Sequence, residues 1–120
     1  MSGNTTISFW VKPEATQNQY ANIIDFNHSS SGGFTVQQNS NNINQYSFAV
    51  NGSGGFNSTG YFSLTKNIWS NVVITLDSSG NANVIVNNNS VATGVGLSVL
   101  SSNALSIGRW IGGSSRYFNG

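Results

Sequence analysis

Three acids, one histidine and four basic side chains hold nearly all the charge chemistry of this chain of 120 residues: Glu14, Asp25 and Asp77, then His28, then Lys12, Lys66, Arg109 and Arg116. Glycan hydrolysis by the usual route needs two carboxylates facing each other across the bond. Glu14 follows Pro13 in a strand-ending loop, and Asp77 falls in a turn where its ordinary work is to cap the backbone, so neither has a partner for that task. His28 stands three residues after Asp25, an odd spacing that sets the two on opposite faces of a continued strand. It reads as a loop histidine rather than a general base, which needs its proton within hydrogen-bond reach. Calcium takes six to eight oxygen ligands, typically including carboxylates. Asp25 with the side chain of Asn27 and nearby carbonyls would make only a weak calcium site, and the other reading pairs Asp25 with an amide or an arginine. The glycine pairs at 32–33, 54–55 and 112–113 precede strands or turns, not helices, so none is a phosphate loop.

Sugar recognition demands less: an aromatic face for the apolar side of a pyranose, and planar amide or guanidinium groups to match its hydroxyls. The segment RWIGGSSRYFNG gathers such residues in one stretch, with Arg109, Trp110, Arg116, Tyr117 and Asn119 around a Gly112-Gly113-Ser114-Ser115 tip. Aromatic and arginine side chains dominate binding sites, and loops on a rigid scaffold are where function is usually placed. The alternative is that Trp110 and Phe118 belong to a core or an interface and the two arginines keep the rim soluble.

The scaffold for that loop is legible in the hairpin WSNVVITLDSSGNANVIVNNN, residues 69–89. Val72, Ile74 and Leu76 alternate with Val73 and Thr75. On the return, Val84 and Val86 alternate with Asn83, Ile85 and Asn87. A period of two places one set in a core and the other outside, the pattern of a half-buried strand, and Asp77-Ser78-Ser79-Gly80 supplies the turn. The same reading gives strands at TISFWVKP, with Trp10 on the face opposite Ile7, Phe9 and Val11, and at ANIIDFN, FTVQQ, QYSFAV, FNSTGYFSL, Ser90 to Thr93 and ALSIGRW, before a terminal RYF. Turn clusters recur about every ten residues and no helical period is sustained, which predicts one all-β domain over residues 1–120, an antiparallel β-sandwich.

Composition excludes several partners. Charged residues are 6% of the chain and the formal net charge is +1, against about 25% charged residues in an ordinary soluble domain. Four scattered cations make no basic stripe for phosphates, so nucleic acid is not an expected partner. No apolar run approaches the roughly 20 residues that cross a bilayer, so no membrane partner is expected. There is no cysteine, hence no disulfide and no Cys-based metal site.

Taken in series, TISFWVKP, NIIDF, GGFTV, YSF, WSNVVITLDSSGNANVIVNN, then LSIGRW with RYFNG resemble the laminin G-like, concanavalin A-like lectin and glucanase superfamily, most of all the bacterial and phage type of this jelly roll. The resemblance implies a jelly-roll sandwich of two curved antiparallel sheets. It also implies carbohydrate binding, adhesion or calcium-assisted recognition, with glycan hydrolysis in some branches. The alternating Glu-x-Asp-x-x-Glu arrangement of the hydrolase branch is not matched by Glu14, Asp25 and Asp77. The expected function is therefore a non-catalytic, lectin-like module for a glycan or polysaccharide, without a cofactor, part of an adhesin or phage structural protein in an extracellular or virion-associated setting. The alternative is a structural self-assembly module that binds no sugar, and a glycan hydrolase comes third. Against the family pattern the chain lacks the usual first and last strands, which predicts a homo-oligomer completed through exposed sheet edges, unless the chain is a fragment or engineered.

Overall fold

A computed structural model describes residues 4–14, 17–26, 32–39, 44–52, 55–97, 104–113 and 115–120. The elements are β1 (Thr5–Val11), β2 (Asn22–Phe26), β3 (Phe34–Gln38), β4 (Gln45–Gly52), β5 (Gly55–Ser58), β6 (Phe62–Ser63), β7 (Ser70–Leu76), β8 (Ala82–Val86), β9 (Asn89–Gly94) and β10 (Ser106–Ile107). They form two antiparallel sheets, one in the order β1-β7-β8-β9 and one in the order β10-β2-β3-β4-β5, with β6 also on β4.

In the first sheet the alternation of the sequence becomes a wet and a dry face. Val72, Ile74, Leu76, Val84 and Val86 are buried while Val73, Thr75, Asn83 and Ile85 are half-buried on the other side. Across the register Trp10 meets Asn71, and Trp10 is 66% exposed, on the outward face as its parity requires. One extra residue, Val91, bulges from β9 opposite the Val84/Ile85 step, twisting an edge strand of which only Ala92 is buried.

The second sheet supplies the opposing half of the core. Val36, Phe48 and Val50 pack into the same cluster as Val72, Ile74 and Val84. A bulge at Ile23, between the Asn22–Gln37 and Ile24–Val36 pairs, lets the adjacent Ile23 and Ile24 both enter that cluster. Phe26 stacks on Phe34 at 5.1 Å, and Phe34 meets Phe48 at 5.7 Å. A hydrogen bond from Gly60 N to Thr93 O, 3.0 Å, joins the two sheets at one side. Gly94 makes the approach feasible, since a Cβ there would stand 3.0 Å from Thr59 Cα.

Two expected strands are shorter than the sequence suggests. FNSTGYFSL divides into β5 and β6 around Thr59, whose N–H donates to Phe48 O at 2.8 Å and whose hydroxyl accepts from Phe48 N at 3.1 Å and donates to Gly60 O at 2.9 Å. ALSIGRW keeps only Ser106–Ile107 as strand. Gly108 at φ +76° turns the chain out of the sheet, and its N–H goes to Ile23 O at 2.9 Å while its carbonyl accepts from Phe118 N at 2.8 Å.

Candidate functional site

At the start of β2, on the side bordered by β10, two segments far apart in sequence are laced together. The carbonyl of Asn18 accepts from Ala21 N at 3.0 Å and from Gln38 Nε2 at 3.1 Å, folding residues 18–21 into a tight turn with Tyr20 at φ +54°. Asn22, wholly buried, donates from Nδ2 to Tyr20 O at 2.9 Å, and Thr35 Oγ1 donates to its Oδ1. From the other segment, Arg116 O accepts from Asn22 N at 3.1 Å. Gln17 grips the peptide of Asn119 in both directions, Nε2 donating to its carbonyl and Oε1 accepting from its N–H at 2.8 Å. Glu14 N adds a 2.8 Å bond to Asn119 O. Between these anchors Phe118 turns inward, edge-on to Tyr46 at 6.4 Å.

The turn at residues 108–113 is fixed by Asp25. Its side chain, with no exposed surface, accepts from Ile111 N at 2.8 Å. Trp110 then lies against the backbone of Gly112 and Gly113, where an added Cβ would come within 2.5 and 2.9 Å of the indole. No side chain larger than glycine fits under that ring.

Arg116 joins the two halves. Its guanidinium carbon sits 4.6 Å from the Trp110 ring centre and 5.2 Å from that of Tyr20, in cation–π range of both. A shallow cleft of about 560 Å³ opens here, lined by Asn18, Gln19, Tyr20, Ser115, Arg116 and Tyr117. Tyr20 and Tyr117 are 37% and 45% exposed. No carboxylate lines it. Among the described residues five non-glycine positions have positive φ: Asn67, Asn87 and Asn88, and then Tyr20 at +54° and Arg116 at +63°. Asparagine tolerates this region; a bulky side chain there costs on the order of 1 kcal/mol or more. The two residues that bear the cost without that excuse both line the cleft, and their side chains meet there.

The expected site residues are thus divided. Arg116 and Tyr117 line the cleft. Trp110 is half-buried and supports Arg116, so its ring is occupied by the guanidinium and the glycine backbone rather than standing clear as a platform. Asn119 contributes its backbone to the Gln17 clasp, and Arg109 lies exposed on the preceding turn, away from the cleft lining. The expected calcium pair cannot be compared as a pair: Asp25 holds the loop, while Asn27, like His28 and Ser114, lies outside the described residues. No group of three or more His, Asp or Glu gathers among the described residues. Tyr20, Asn18 and Gln17 were not singled out by the sequence, which is mostly polar there, and Asn22 reads only as part of the strand ANIIDFN.

A second cleft, of about 550 Å³, opens beside the hairpin turn and includes Asn4, Thr6, Thr75, Asp77, Asn81 and Val95. Asp77 works there as its turn position implies. Asn81 Nδ2 donates to its Oδ2 at 2.8 Å, and Asn81 N and Ser79 N donate to its Oδ1 at 2.9 and 2.8 Å. These bonds, the side-chain bond first, hold its carboxyl below the usual range.

The profile of one protein family, described as the concanavalin A-like lectin/glucanases superfamily, matches residues 1–120. The chain belongs to that superfamily. Among solved structures it is similar to the binding domain of botulinum neurotoxin serotype G, with a TM-score of 0.71 and 23% identity over 97% of this chain. The chain spans 30% of the length of that protein, and at this identity the likeness bears on the fold alone. No curated protein matches the sequence. As in other concanavalin A-like proteins, the jelly roll is a scaffold that does not by itself define a ligand.

Proposed function

We propose that this chain is a non-catalytic carbohydrate-binding module that holds a glycan in the cleft between residues 18–20 and 115–117, as part of an adhesin or phage structural protein. The observation that carries this reading is the paired backbone strain at Tyr20 and Arg116, because strain in a well-anchored loop concentrates at ligand clamps. The exposed Tyr117 ring, the rim of Tyr20, the amides of Asn18 and Gln19 and the Ser115 hydroxyl are the aromatic and planar polar groups that sugars require. Hydrolysis finds no support in the acids: Asp25 is buried against Ile111 N, Asp77 caps its turn, and Glu14 is exposed, with its backbone tied into the Gln17–Asn119 clasp. The test is binding to a broad panel of immobilised glycans, with calcium and with chelator. Selective binding that survives chelator and weakens about tenfold, or 1.4 kcal/mol, in Tyr117→Ala supports the reading. Retention of no glycan, or binding indifferent to both Tyr117→Ala and Tyr20→Ala, refutes it.

A second reading, self-assembly, rests on the other sheet. β1 is an edge strand of seven residues, and beside it Trp10 and Trp69 are 66% and 60% exposed. An open edge flanked by large aromatic surface is a site for pairing between copies. Sedimentation over a range of concentrations decides it: a discrete oligomer that dissociates in Trp10→Ser supports this reading, and a monomer throughout removes it.

A further inference from the structure

Resting on the reading of the cleft as a glycan site, we infer that the glycan it takes is anionic, a sugar whose carboxylate or sulfate meets the edge of the Arg116 guanidinium. A stacked cation–π contact uses the flat face of that group, and the guanidinium carbon of Arg116 lies over the Trp110 and Tyr20 rings, 4.6 and 5.2 Å from their centres. Its N–H donors all lie in the plane of the group and point outward from the edge, and that fork matches the two oxygens of an oxyanion. Among the described residues no carboxylate and no carbonyl takes those donors: the acids are Asp25, held by Ile111 N, Asp77, in the hairpin turn, and Glu14, which is not part of the cleft lining.

Three features make this more than a solvated surface charge. The guanidinium is preset by two rings and by a backbone tied through Asn22 N to Arg116 O, so less side-chain freedom is lost when a ligand binds. The cleft around it is otherwise neutral, with Asn18, Gln19, Ser115 and two tyrosines, so an anion there meets a single positive centre and no repulsion. The whole chain has only three acids for four cations, so no general negative field opposes approach. Arg116 is therefore the specificity-determining residue for charge, while the exposed Tyr117 takes the apolar side of the sugar.

The experiment uses an array with four arms: neutral glycans, sialylated glycans, uronate oligosaccharides beside their neutral methyl esters, and sulfated glycans beside their unsulfated parents. The intact chain and Arg116→Gln are compared at low and high sodium chloride, with thermal melting to confirm that both are folded. The expected result is retention of one charged class, at least about tenfold over its neutral counterpart, falling with salt and lost in Arg116→Gln. Hits in the sialylated or uronate arm assign a carboxylate, and hits in the sulfated arm a sulfate. Arg109→Gln serves as the control and leaves the preference unchanged. Equal binding of charged and neutral members, still sensitive to Tyr117→Ala, overturns the charge assignment and leaves the glycan site standing. Absence of binding in every arm overturns both.

Discussion

The hairpin β7–β8 and the cleft at residues 17–22 and 108–119 solve the same problem, holding side chains in place, by opposite means. In the hairpin, neighbours in sequence are neighbours in space, a period-two pattern sorts them, and the turn caps itself through Asp77 and Asn81. In the cleft no period exists. Its geometry comes from side chain to backbone bonds between residues 102 and 86 positions apart, Gln17 with Asn119 and Asp25 with Ile111. The hairpin spends nothing on unfavourable backbone at its apolar positions, whereas the cleft keeps two bulky residues at positive φ. The difference teaches how the two regions depend on each other: the first makes the fold, and the second uses rigidity supplied by the fold to hold a strained arrangement.

The largest effect should come from the hairpin side. Ile74→Ala, at a position 1% exposed in the centre of the core, should cost about 2 to 5 kcal/mol of global stability. Chemical denaturation followed by signals from both regions should show one shifted transition. A cleft that stayed folded after the hairpin melted would break the dependence of one region on the other.

Tyr46 joins the two regions, since it sits in the core and meets Phe118. Burial pushes its phenol from 10.0 up to about 12. The folded form resists ionisation that the unfolded chain accepts, so stability is fully present below pH 10 and declines as pH rises toward about 12. The loss should approach about 3 kcal/mol, at roughly 1.4 kcal/mol per pH unit. Tyr46→Phe should flatten that part of the stability curve, and an unchanged alkaline slope in the variant would contradict the buried-phenol account.

A smaller and local effect is expected at Asp25. Asp25→Ala removes the acceptor of Ile111 N and should cost about 1 to 2 kcal/mol. Hydrogen exchange should speed up first at residues 108–113 while β7 and β8 amides remain the slowest. Uniform acceleration in all elements would show that the cleft is not a separate, dependent unit.

What the sequence revealed follows the same division. Strands whose partners are local or whose faces alternate, β1, β7 and β8, could be read directly, including the outward Trp10. Arg116 and Tyr117 were recognisable as binding types by chemistry alone. Trp110 reads from the sequence either as a binding residue or as part of a core or interface, and its position under Arg116 was not legible, because it depends on a glycine backbone close enough to admit nothing larger. Tyr20 was not legible: it stands in a polar run, and the residue that gives it meaning arrives near the other end of the chain. ALSIGRW looked like a strand because the pull of Ile23 O and Phe118 N on Gly108 is invisible to local pattern.

The smallest expected change in stability is also the most direct test of the central claim, that the strain at Arg116 is kept for a ligand. Arg116→Gly suits φ +63° and relieves the strain while losing the contacts to Trp110 and Tyr20, two terms of about 1 kcal/mol each and opposite sign. Thermal melting and glycan binding measured on this variant should show stability within about 1 kcal/mol of the parent and binding lost. Marked destabilisation with binding intact would contradict the account, because Arg116 would then serve the fold and not the ligand.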